Sequence, residues 1–449
     1  MSSTLTLSPT DTGGARLQKA ALLAALDDPG MGALNFLNEV IDRYPDAISF
    51  APGAPHASFF DELNVGHYLE RYRRHLVEDR GLTEQRATRL LYQYGPARGI
   101  INGLLARSLQ LDEGLTVDPR AIVVTVGCQE AMVLALRVLC PTPEDLLAVV
   151  EPCFVGISGA ASVLGIEPVA IGETDGGVDL PALARACTAA RQAGQRIRAL
   201  YVAPDFSNPS GTLMPLAARH ALLALADEHD FLLLEDNAYG FTAEADHKLP
   251  TLKSLDTHQR VVYLATCAKI CLPGVRVGFM VADQPVINAD GGASLLADEL
   301  TLVKSMLTVN TSPICQGIVG GMMLDNGGSL AAVGADKARL YQSNLRHLLG
   351  ALAQALPPEQ AAERGIVWQA PQGGFFVRVR LPVVADEALL KRCAERHGVL
   401  WTPMSSFYLS GGGRHELRLA CSYLAPQEID EGVARLVRFF DDPTLMSSA

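Results

Sequence analysis

Lys269 lies in an apolar stretch, residues 261–280, in which Arg276 is the only other charged residue. Burial and a nearby guanidinium both disfavour the charged ammonium, so this amine can be partly neutral and nucleophilic. An amine in that state can form an imine with a carbonyl compound. The alternative is a lysine with a buried stem whose ammonium reaches solvent. Other residues of the chain decide between the two.

An acid follows a buried strand upstream of this lysine. Residues 231–234 are Phe-Leu-Leu-Leu, and Glu235 and Asp236 come directly after them. A carboxylate at the mouth of a parallel sheet can pair with a protonated ring nitrogen, which keeps a pyridinium charged and makes the ring an electron sink. The alternative for Asp236 is a capping or solvated carboxylate.

Two neutral donors accompany Asp236. Asn208 begins the string Asn-Pro-Ser-Gly after another apolar strand, and Tyr239 follows Asp236 by three residues. Each can donate to a phenolate-type oxygen beside an imine. Taken alone, the Asn208 string is also an ordinary turn.

A candidate phosphate site lies earlier in the chain. An apolar strand leads through Gly127 into a helix that starts with Cys128 and Gln129. The first amides of a helix have no intrahelical partner and suit a phosphate, although such a junction also forms without a ligand. Arg276 and the hydroxyl of Thr266 can bind the same phosphate.

The elements that must position these residues alternate along the middle of the chain. The pattern predicts strands at 121–126, 146–150, 168–171, 199–202, 231–234, 261–265 and 277–281, with helices at 129–139, 180–193 and 216–229. Near-continuous Val, Leu and Ile strands separated by helices favour a mostly parallel sheet covered on both faces. Ligands of such α/β folds bind at the carboxyl ends of the strands.

We expect three segments in the chain. Residues 1–60 would form an N-terminal arm and a segment of the small domain, residues 61–325 the large domain with a seven-stranded sheet, and residues 326–449 a smaller α+β domain. Asn326-Gly-Gly marks the break. The remaining predicted elements are an arm at 1–30, a helix at 33–44, a short strand after 46, helices at 336–356, 386–397 and 427–440, and strands at 374–379, 399–402 and 416–420.

Composition narrows the classes of function. The chain has 449 residues, is 49% hydrophobic and carries a net charge of −12 without strong basic clustering, which argues against nucleic acid as a partner. No signal-type or membrane-spanning segment is apparent, so we expect a cytoplasmic protein away from membranes. Its nine cysteines and ten histidines show neither CxxC nor HExxH, and we expect no metal site.

Together these motifs resemble the fold-type I pyridoxal 5'-phosphate (PLP) enzymes, specifically the class I and II aminotransferases, over about residues 45–430. Thr266-Cys-Ala-Lys269 followed by Pro273-Gly-x-Arg276-x-Gly278 is similar to the family's Ser-x-Ser-Lys-x-x-x-Pro-Gly-x-Arg-x-Gly block. Asn208-Pro-Ser-Gly is similar to its Asn-Pro-Thr-Gly. The resemblance implies that Lys269 is the Schiff-base lysine, that Asp236 and Tyr239 serve the cofactor ring, and that Arg276 binds its phosphate.

The resemblance implies further site residues. Tyr94, in Leu91-Tyr-Gln-Tyr-Gly-Pro, would reach the phosphate of the neighbouring subunit's cofactor, which implies a homodimer with shared sites. Phe154 would stack on the ring, although a core aromatic is the plain alternative. Residues 127–129 would form the phosphate cup. Gly53 would lie near the substrate, and Arg418 would bind the substrate α-carboxylate. The alternative for Arg418 is an outward-facing charged residue of an edge strand.

Several positions depart from the family pattern. Thr266 and Ala268 replace two serines, and Cys128 stands where Ser or Ala is commoner. The loss at Ala268 removes one phosphate donor. Met404 occupies a position where glycine is frequent, so we expect the substrate side of the pocket to differ from that of common members.

These observations predict a PLP-dependent aminotransferase for an α-amino acid, acting through a Lys269 aldimine and a quinonoid, with a keto acid as the second substrate. The alternative is a PLP-dependent lyase or synthase of specialised metabolism, for example one acting on S-adenosylmethionine. A non-enzymatic PLP-binding regulator is disfavoured, because only about 50 residues precede the match. Residues 31–40 and 49–55 resemble a subgroup that includes arylglycine transaminases. The sequence leaves the side chain of the substrate and the amino acceptor open.

Overall fold

A computed structural model describes residues 17–27, 32 and 42–446 of the protein. The strands are β1 Ile48–Ser49, β2 Ile122–Val126, β3 Asp145–Glu151, β4 Val169–Thr174, β5 Gly177–Val178, β6 Arg196–Val202, β7 Leu232–Asn237, β8 Val261–Thr266, β9 Val277–Val281, β10 Pro285–Ile287, β11 Ala293–Leu295, β12 Val367–Trp368, β13 Phe376–Arg380, β14 Val399–Leu400, β15 Thr402–Pro403 and β16 Glu416–Ala420. The α-helices are α1 Val65–Glu78, α2 Glu84–Tyr92, α3 Asn102–Glu113, α4 Gly127–Leu139, α5 Val155–Leu164, α6 Leu180–Gln192, α7 Leu216–His229, α8 Leu252–Leu255, α9 Leu296–Leu307, α10 Pro313–Asp325, α11 Leu330–Ala355, α12 Pro358–Glu363, α13 Glu387–His397, α14 Pro426–Phe440 and α15 Pro443–Met446. Short 3₁₀ helices lie at Lys19–Ala21, Ala24–Asp27, Ala57–Phe59, Pro119–Ala121, Gly240–Thr242, Pro273–Val275 and Ser405–Phe407.

The large sheet has the strand order β2-β9-β8-β7-β6-β3-β4-β5. Strand β9 runs antiparallel to both β2 and β8, while β8, β7, β6, β3 and β4 pair in parallel. The predicted α/β class with a mostly parallel sheet is confirmed. The sheet contains all seven predicted strands and a short eighth, β5, which pairs antiparallel with β4. A strand of two residues has no periodicity that a sequence pattern can reveal.

Helices cover both faces of this sheet, because its strands are apolar on both sides. In β7, Leu233 packs into the core under α6 and α7, and the next residue, Leu234, packs into the core under α4 and α5. Both side chains are 0% exposed. Burial of each such side chain stabilises the fold by about 1.5–3 kcal/mol. This two-sided burial holds the carboxyl ends of the strands in fixed positions.

A second, antiparallel sheet has the order β12-β13-β16-β15, and the long helix α11 packs against α14 beside it. Strand β1 pairs in parallel with β14, so residues 48–49 join this second region. The division into domains at residues 60 and 325 stays a prediction. Helix α11 begins six positions before the predicted start at 336, because the Ser329 side chain accepts from the Ala332 amide and caps it there.

Some predicted elements fall outside the described residues. The arm at 1–30 is described only at 17–27, and the helix at 33–44 only at its last three positions. Within the described part of the chain, no helix is both long and apolar enough to cross a membrane.

Candidate active site

A cavity of about 470 Å³ lies where the carboxyl ends of the parallel strands face β16. It brings together residues that are up to 366 positions apart in the sequence, from Pro52 to Arg418. The predicted site residues that line it are Gly53, Cys128, Gln129, Phe154, Asn208, Asp236, Tyr239, Thr266, Lys269, Arg276 and Arg418. Two predicted site residues, Gly127 and Tyr94, do not line it.

Lys269 lies in a tight turn directly after β8, where the Cys271 amide donates to the Cys267 carbonyl at 2.8 Å. The turn aims the Lys269 amine into the cavity, and its Nζ donates to the Gly53 carbonyl at 2.5 Å. Burial, and then the guanidinium groups of Arg418 and Arg276, lower the pKa of Lys269 to about 8. A substantial fraction of this amine is therefore neutral near pH 8, as a nucleophile or a base requires.

Asp236 lies in β7, close to the carboxyl end of the strand, and is 7% exposed. Its Oδ2 accepts from the Tyr201 hydroxyl at 2.6 Å, and the Cys128 thiol lies 3.9 Å from its Oδ1. Burial raises the pKa of Asp236 to about 6, and the two donors act in the opposite direction. Asp236 is therefore mostly a carboxylate at neutral pH, and it faces the cavity.

Arg418, on β16, is 2% exposed and presents its guanidinium to the same cavity. Its Nη1 donates to Asn208 Oδ1 at 2.6 Å and its Nη2 to the Ala51 carbonyl at 2.8 Å. The guanidinium carbon lies 4.3 Å from the ring centre of Phe376 and 5.1 Å from that of Phe407. Burial lowers the pKa of Arg418 to about 10, so the group stays charged. Its Nε has no partner among the described residues.

The start of α4 forms a cradle that has the groups to bind an anion. Gly127 has φ +70°, and α4 has no side-chain cap at its N-terminus, so its first amides are free to bind a ligand. A Cβ at Gly127 would lie 2.4 Å from Arg276 Nη2, which places the Arg276 guanidinium directly against this turn. Thr266 Oγ1 accepts from the Ala268 amide at 3.1 Å and keeps its own proton for donation. Gly127 thus shapes the site without lining the cavity.

Phe154 and Tyr239 flank the cavity. Gln129 Nε2 donates to the Gly156 carbonyl at 2.7 Å, and this contact fixes the turn that carries Phe154. The Tyr239 ring packs edge-on against Phe375, with 5.0 Å between ring centres, and burial raises the pKa of its phenol. Both side chains are therefore held in place, Phe154 by the turn that carries it and Tyr239 by packing, as a ring-binding site requires.

The sequence predicted that Met404 lies on the substrate side of the pocket, but in the structure Met404 does not line the cavity. Met404 is 0% exposed and packs with Val155 and Phe407 behind the cavity. Its large apolar side chain fills this core. Tyr94 is 85% exposed and lies outside the cavity, so its action in a partner's site stays a prediction.

The donor set fits PLP group by group. A neutral lysine amine can bind the aldehyde, a buried carboxylate can face the ring nitrogen, and the cradle at Gly127 with Arg276 can bind the phosphate. The buried Arg418, with one nitrogen lacking a partner, suits a substrate carboxylate. Sequence reasoning missed Tyr201, which lines the cavity beside Asp236 and belongs to no motif.

Comparisons with known proteins agree with this geometry. The sequence pattern of the family "Aminotransferase class I and II" matches residues 62–436. The chain is 45% identical over 423 residues to (S)-3,5-dihydroxyphenylglycine transaminase of Amycolatopsis orientalis, and the match covers 94% of each protein.

Solved structures with the same fold include two aminotransferases. The multiple substrate aminotransferase of Thermococcus profundus superimposes with a TM-score of 0.77 at 25% identity, over 93% of this chain and 96% of that one. The kynurenine aminotransferase of Pyrococcus horikoshii, solved in complex with PMP, superimposes with a TM-score of 0.75 at 27% identity, over 90% and 94%. The similarity spans both sheets.

Proposed function

This chain belongs to the class I and II aminotransferases and is a PLP-dependent transaminase of α-amino acids. We propose that its amino donor is an aromatic amino acid of the arylglycine type. The observation that carries the proposal is the 45% identity to (S)-3,5-dihydroxyphenylglycine transaminase over 94% of the chain. The second substrate is a keto acid. The comparisons give the lyase or synthase alternative no support.

The lining of the cavity supports a substrate with an uncharged side chain. The charged residues that line it are Asp236, Lys269, Arg276 and Arg418. We assign the first three to the cofactor and Arg418 to the α-carboxylate of the substrate. Among the described residues of one subunit, no further cation lines the cavity for a carboxylate on the side chain. What remains is an apolar wall that includes Pro52, Pro55, Met132 and Phe376.

Each charged residue then has one task in the transfer. The cofactor, when bound, supplies a ring that withdraws the electrons released at the α-carbon of the substrate. Asp236 keeps the ring nitrogen protonated, because it is a buried carboxylate with few competing partners. Lys269, with its lowered pKa, accepts the α-proton and returns it. Arg418 fixes the α-carboxylate with the guanidinium N–H groups that Asn208 and Ala51 leave free.

The remaining predicted residues serve the cofactor's periphery in this proposal. Asn208 and Tyr239 donate to the oxygen on the ring, and Phe154 covers its face. The amides of residues 127–129 bind the phosphate together with Thr266 and Arg276. Gly53 allows the Phe376 ring to pack closely against it at the substrate side of the cavity, because a Cβ there would lie 2.6 Å from Phe376 Cζ.

A panel of amino acids tests the proposed substrate. The holoenzyme is incubated with phenylglycine, phenylalanine, aspartate or 2-aminoadipate, and keto acid is measured by mass spectrometry. We expect kcat/KM for phenylglycine to exceed that for aspartate by about a hundredfold or more, because burying an unpaired carboxylate costs several kcal/mol. A preference for the acidic substrates would contradict the proposal.

We also propose a homodimer whose subunits share their active sites. Tyr94 and Met306 are each 85% exposed and Val309 is 50% exposed. A Cβ added at Gly95 would lie 3.6 Å from Pro313 Cγ, so the segment that carries Tyr94 lies beside the start of α10. Exposed apolar side chains in neighbouring segments suit burial against a second subunit. Tyr94 would reach the phosphate bound by the partner.

Subunit complementation tests the shared site. Lys269→Ala and Tyr94→Ala would each inactivate or impair their own homodimer. Mixing them in equal amounts under exchange conditions makes about half of the dimers heterodimers, and each heterodimer has one native site of two. We therefore expect about a quarter of the wild-type activity. A mixture no more active than its components would contradict shared sites, and sedimentation separately reports the dimer.

For the compartment we propose the cytoplasm. All nine cysteines are free, as expected where thiols are kept reduced. Fractionation of the producing cell, with the protein detected by antibody, tests this. Recovery outside the cytoplasmic fraction would contradict it.

A further inference from the structure

We propose that Tyr201 is a positioning residue that holds Asp236 in the orientation and charge state needed to face the ring nitrogen of the cofactor. This inference rests on the proposed role of Asp236. Tyr201 belongs to no motif, and its hydroxyl acts on the cofactor site through the Asp236 carboxylate.

The geometry of the two neighbouring strands creates the contact. Tyr201 lies on β6 opposite Leu234 of β7, two residues before Asp236. The Tyr201 hydroxyl donates to Asp236 Oδ2 at 2.6 Å, and the two residues are 3% and 7% exposed. Because water is largely excluded, the carboxylate cannot replace this donor by solvent if it is lost.

The other oxygen of Asp236 has a weaker partner. Cys128 Sγ, at the start of α4, lies 3.9 Å from Oδ1, and a thiol is a poor donor. Tyr201 and Cys128 are the side chains that donate to this carboxylate within the described part of the chain. The other titratable groups facing the pair are Tyr239 after β7 and Cys153 before α5. Tyr201 is therefore the principal donor.

Loss of this donor has a defined effect. Burial raises the pKa of Asp236 to about 6, and the bond from Tyr201 opposes that shift. Without the hydroxyl, the carboxyl group would bind a proton more tightly and be free to rotate. A smaller fraction would then be charged at pH 7, and its pairing with a protonated ring nitrogen would weaken. Hydrogen bonds to charged groups are worth about a tenfold to hundredfold change in an equilibrium constant.

The test compares two cofactors in Tyr201→Phe. Affinity of the apoenzyme is measured for PLP and for its 1-deaza analogue, in which a carbon replaces the ring nitrogen. We expect about tenfold weaker binding of PLP and a change within about twofold for the analogue. Tyr263→Phe is the matched control, because Tyr263 is also buried in the sheet but its hydroxyl accepts from Asn237 at 2.9 Å. That control should change neither affinity.

Asp236→Asn separates this inference from the proposal beneath it. If Asp236→Asn fails to weaken the binding of PLP relative to that of the analogue, the proposed role of Asp236 is wrong. If Asp236→Asn weakens the binding of PLP but Tyr201→Phe does not, only the positioning role of Tyr201 is wrong. In the Asp236→Asn background, Tyr201→Phe should have an effect within about twofold, since the two residues act as one unit.

Two further outcomes bear on the inference. If Tyr201→Phe loses affinity for PLP and for the analogue equally, Tyr201 contacts the ring or only supports the fold. That result would overturn its positioning role. If Tyr201→Phe does not fold, replacement of Tyr201 by 3-fluorotyrosine keeps its shape and strengthens the donor. The pH at which the spectrum of bound PLP titrates should then fall, and an unchanged titration would overturn the inference.

Discussion

Replacement of Arg418 by lysine tests how the substrate carboxylate is bound. The guanidinium is 2% exposed, and its Nη1 and Nη2 already donate to Asn208 and to the Ala51 carbonyl, which fix its plane. Lysine keeps the charge but offers one well-directed bond where arginine offers two. The lost bond is worth about 1.5–3 kcal/mol, and the lost stacking on Phe376 about 0.5–1 kcal/mol.

The expected loss of transition-state stabilisation is therefore about 2–4 kcal/mol. Each loss of about 1.4 kcal/mol in transition-state stabilisation lowers kcat/KM about tenfold. In Arg418→Lys, kcat/KM for an α-amino acid should therefore fall roughly 30- to 700-fold. The assay is initial-rate formation of keto acid from the best donor at saturating acceptor. Arg378→Lys is the matched control, since Arg378 lies on the paired strand β13 and donates to Glu416 at 2.5 Å, away from the cavity lining. A loss below about threefold in Arg418→Lys, or equal losses in both variants, would refute this reasoning.

Three further predictions concern the lysine and two glycines. Because the folded chain lowers the pKa of Lys269 from 10.5 to about 8, the rate at which PLP attaches to apoenzyme in stopped flow should rise as pH increases through about 8; a rise only near 10.5 would contradict the lowered pKa. Gly53→Ala places a Cβ 2.6 Å from Phe376 Cζ and should destabilise the protein by about 1–3 kcal/mol in urea unfolding, whereas unchanged stability would show that Phe376 can move. Gly127→Ala places a Cβ 2.4 Å from Arg276 Nη2 at φ +70° and should weaken PLP binding at least about tenfold in a fluorescence titration; native affinity would argue against this cradle.

Much of the fold follows from the sequence because burial on both faces leaves an unmistakable apolar run. Strand β8 and the helix α7 were predicted within a residue of their bounds for this reason. The start of α11 was missed, since a cap at Ser329 sets it and the apolar pattern does not. Helices α1 to α3, α5, α8 to α10, α12 and α15 were also not identified, and strand β5 is too short to carry a pattern.

The site residues that belong to sequence motifs were predicted to lie together. Lys269, Asp236 and Asn208 each follow an apolar strand, and strands of one parallel sheet bring their carboxyl ends together. Their roles remain predictions for the experiments above. The resemblance to the family, rather than any local pattern, pointed to Arg418 and Gly53.

Contacts between distant elements could not be predicted from local sequence. Tyr201 donates to Asp236 across 35 positions, and it meets that residue only because β6 and β7 are neighbours in the sheet. Arg418 donates to Ala51 across 367 positions. Met404 shows the converse, because its place in a family pattern suggested a pocket residue whereas packing buries it behind the site.

Covalent mapping of the cofactor tests the central claim most directly. Holoenzyme reduced with borohydride and digested should yield one peptide carrying the reduced cofactor, with the added mass on Lys269. Lys337 provides an internal control, because it is a buried lysine nearby whose Nζ donates to the Ile270 carbonyl at 2.6 Å. Modification of Lys337 or of any lysine other than Lys269, or recovery of Lys269 unmodified from PLP-loaded protein, would contradict the account.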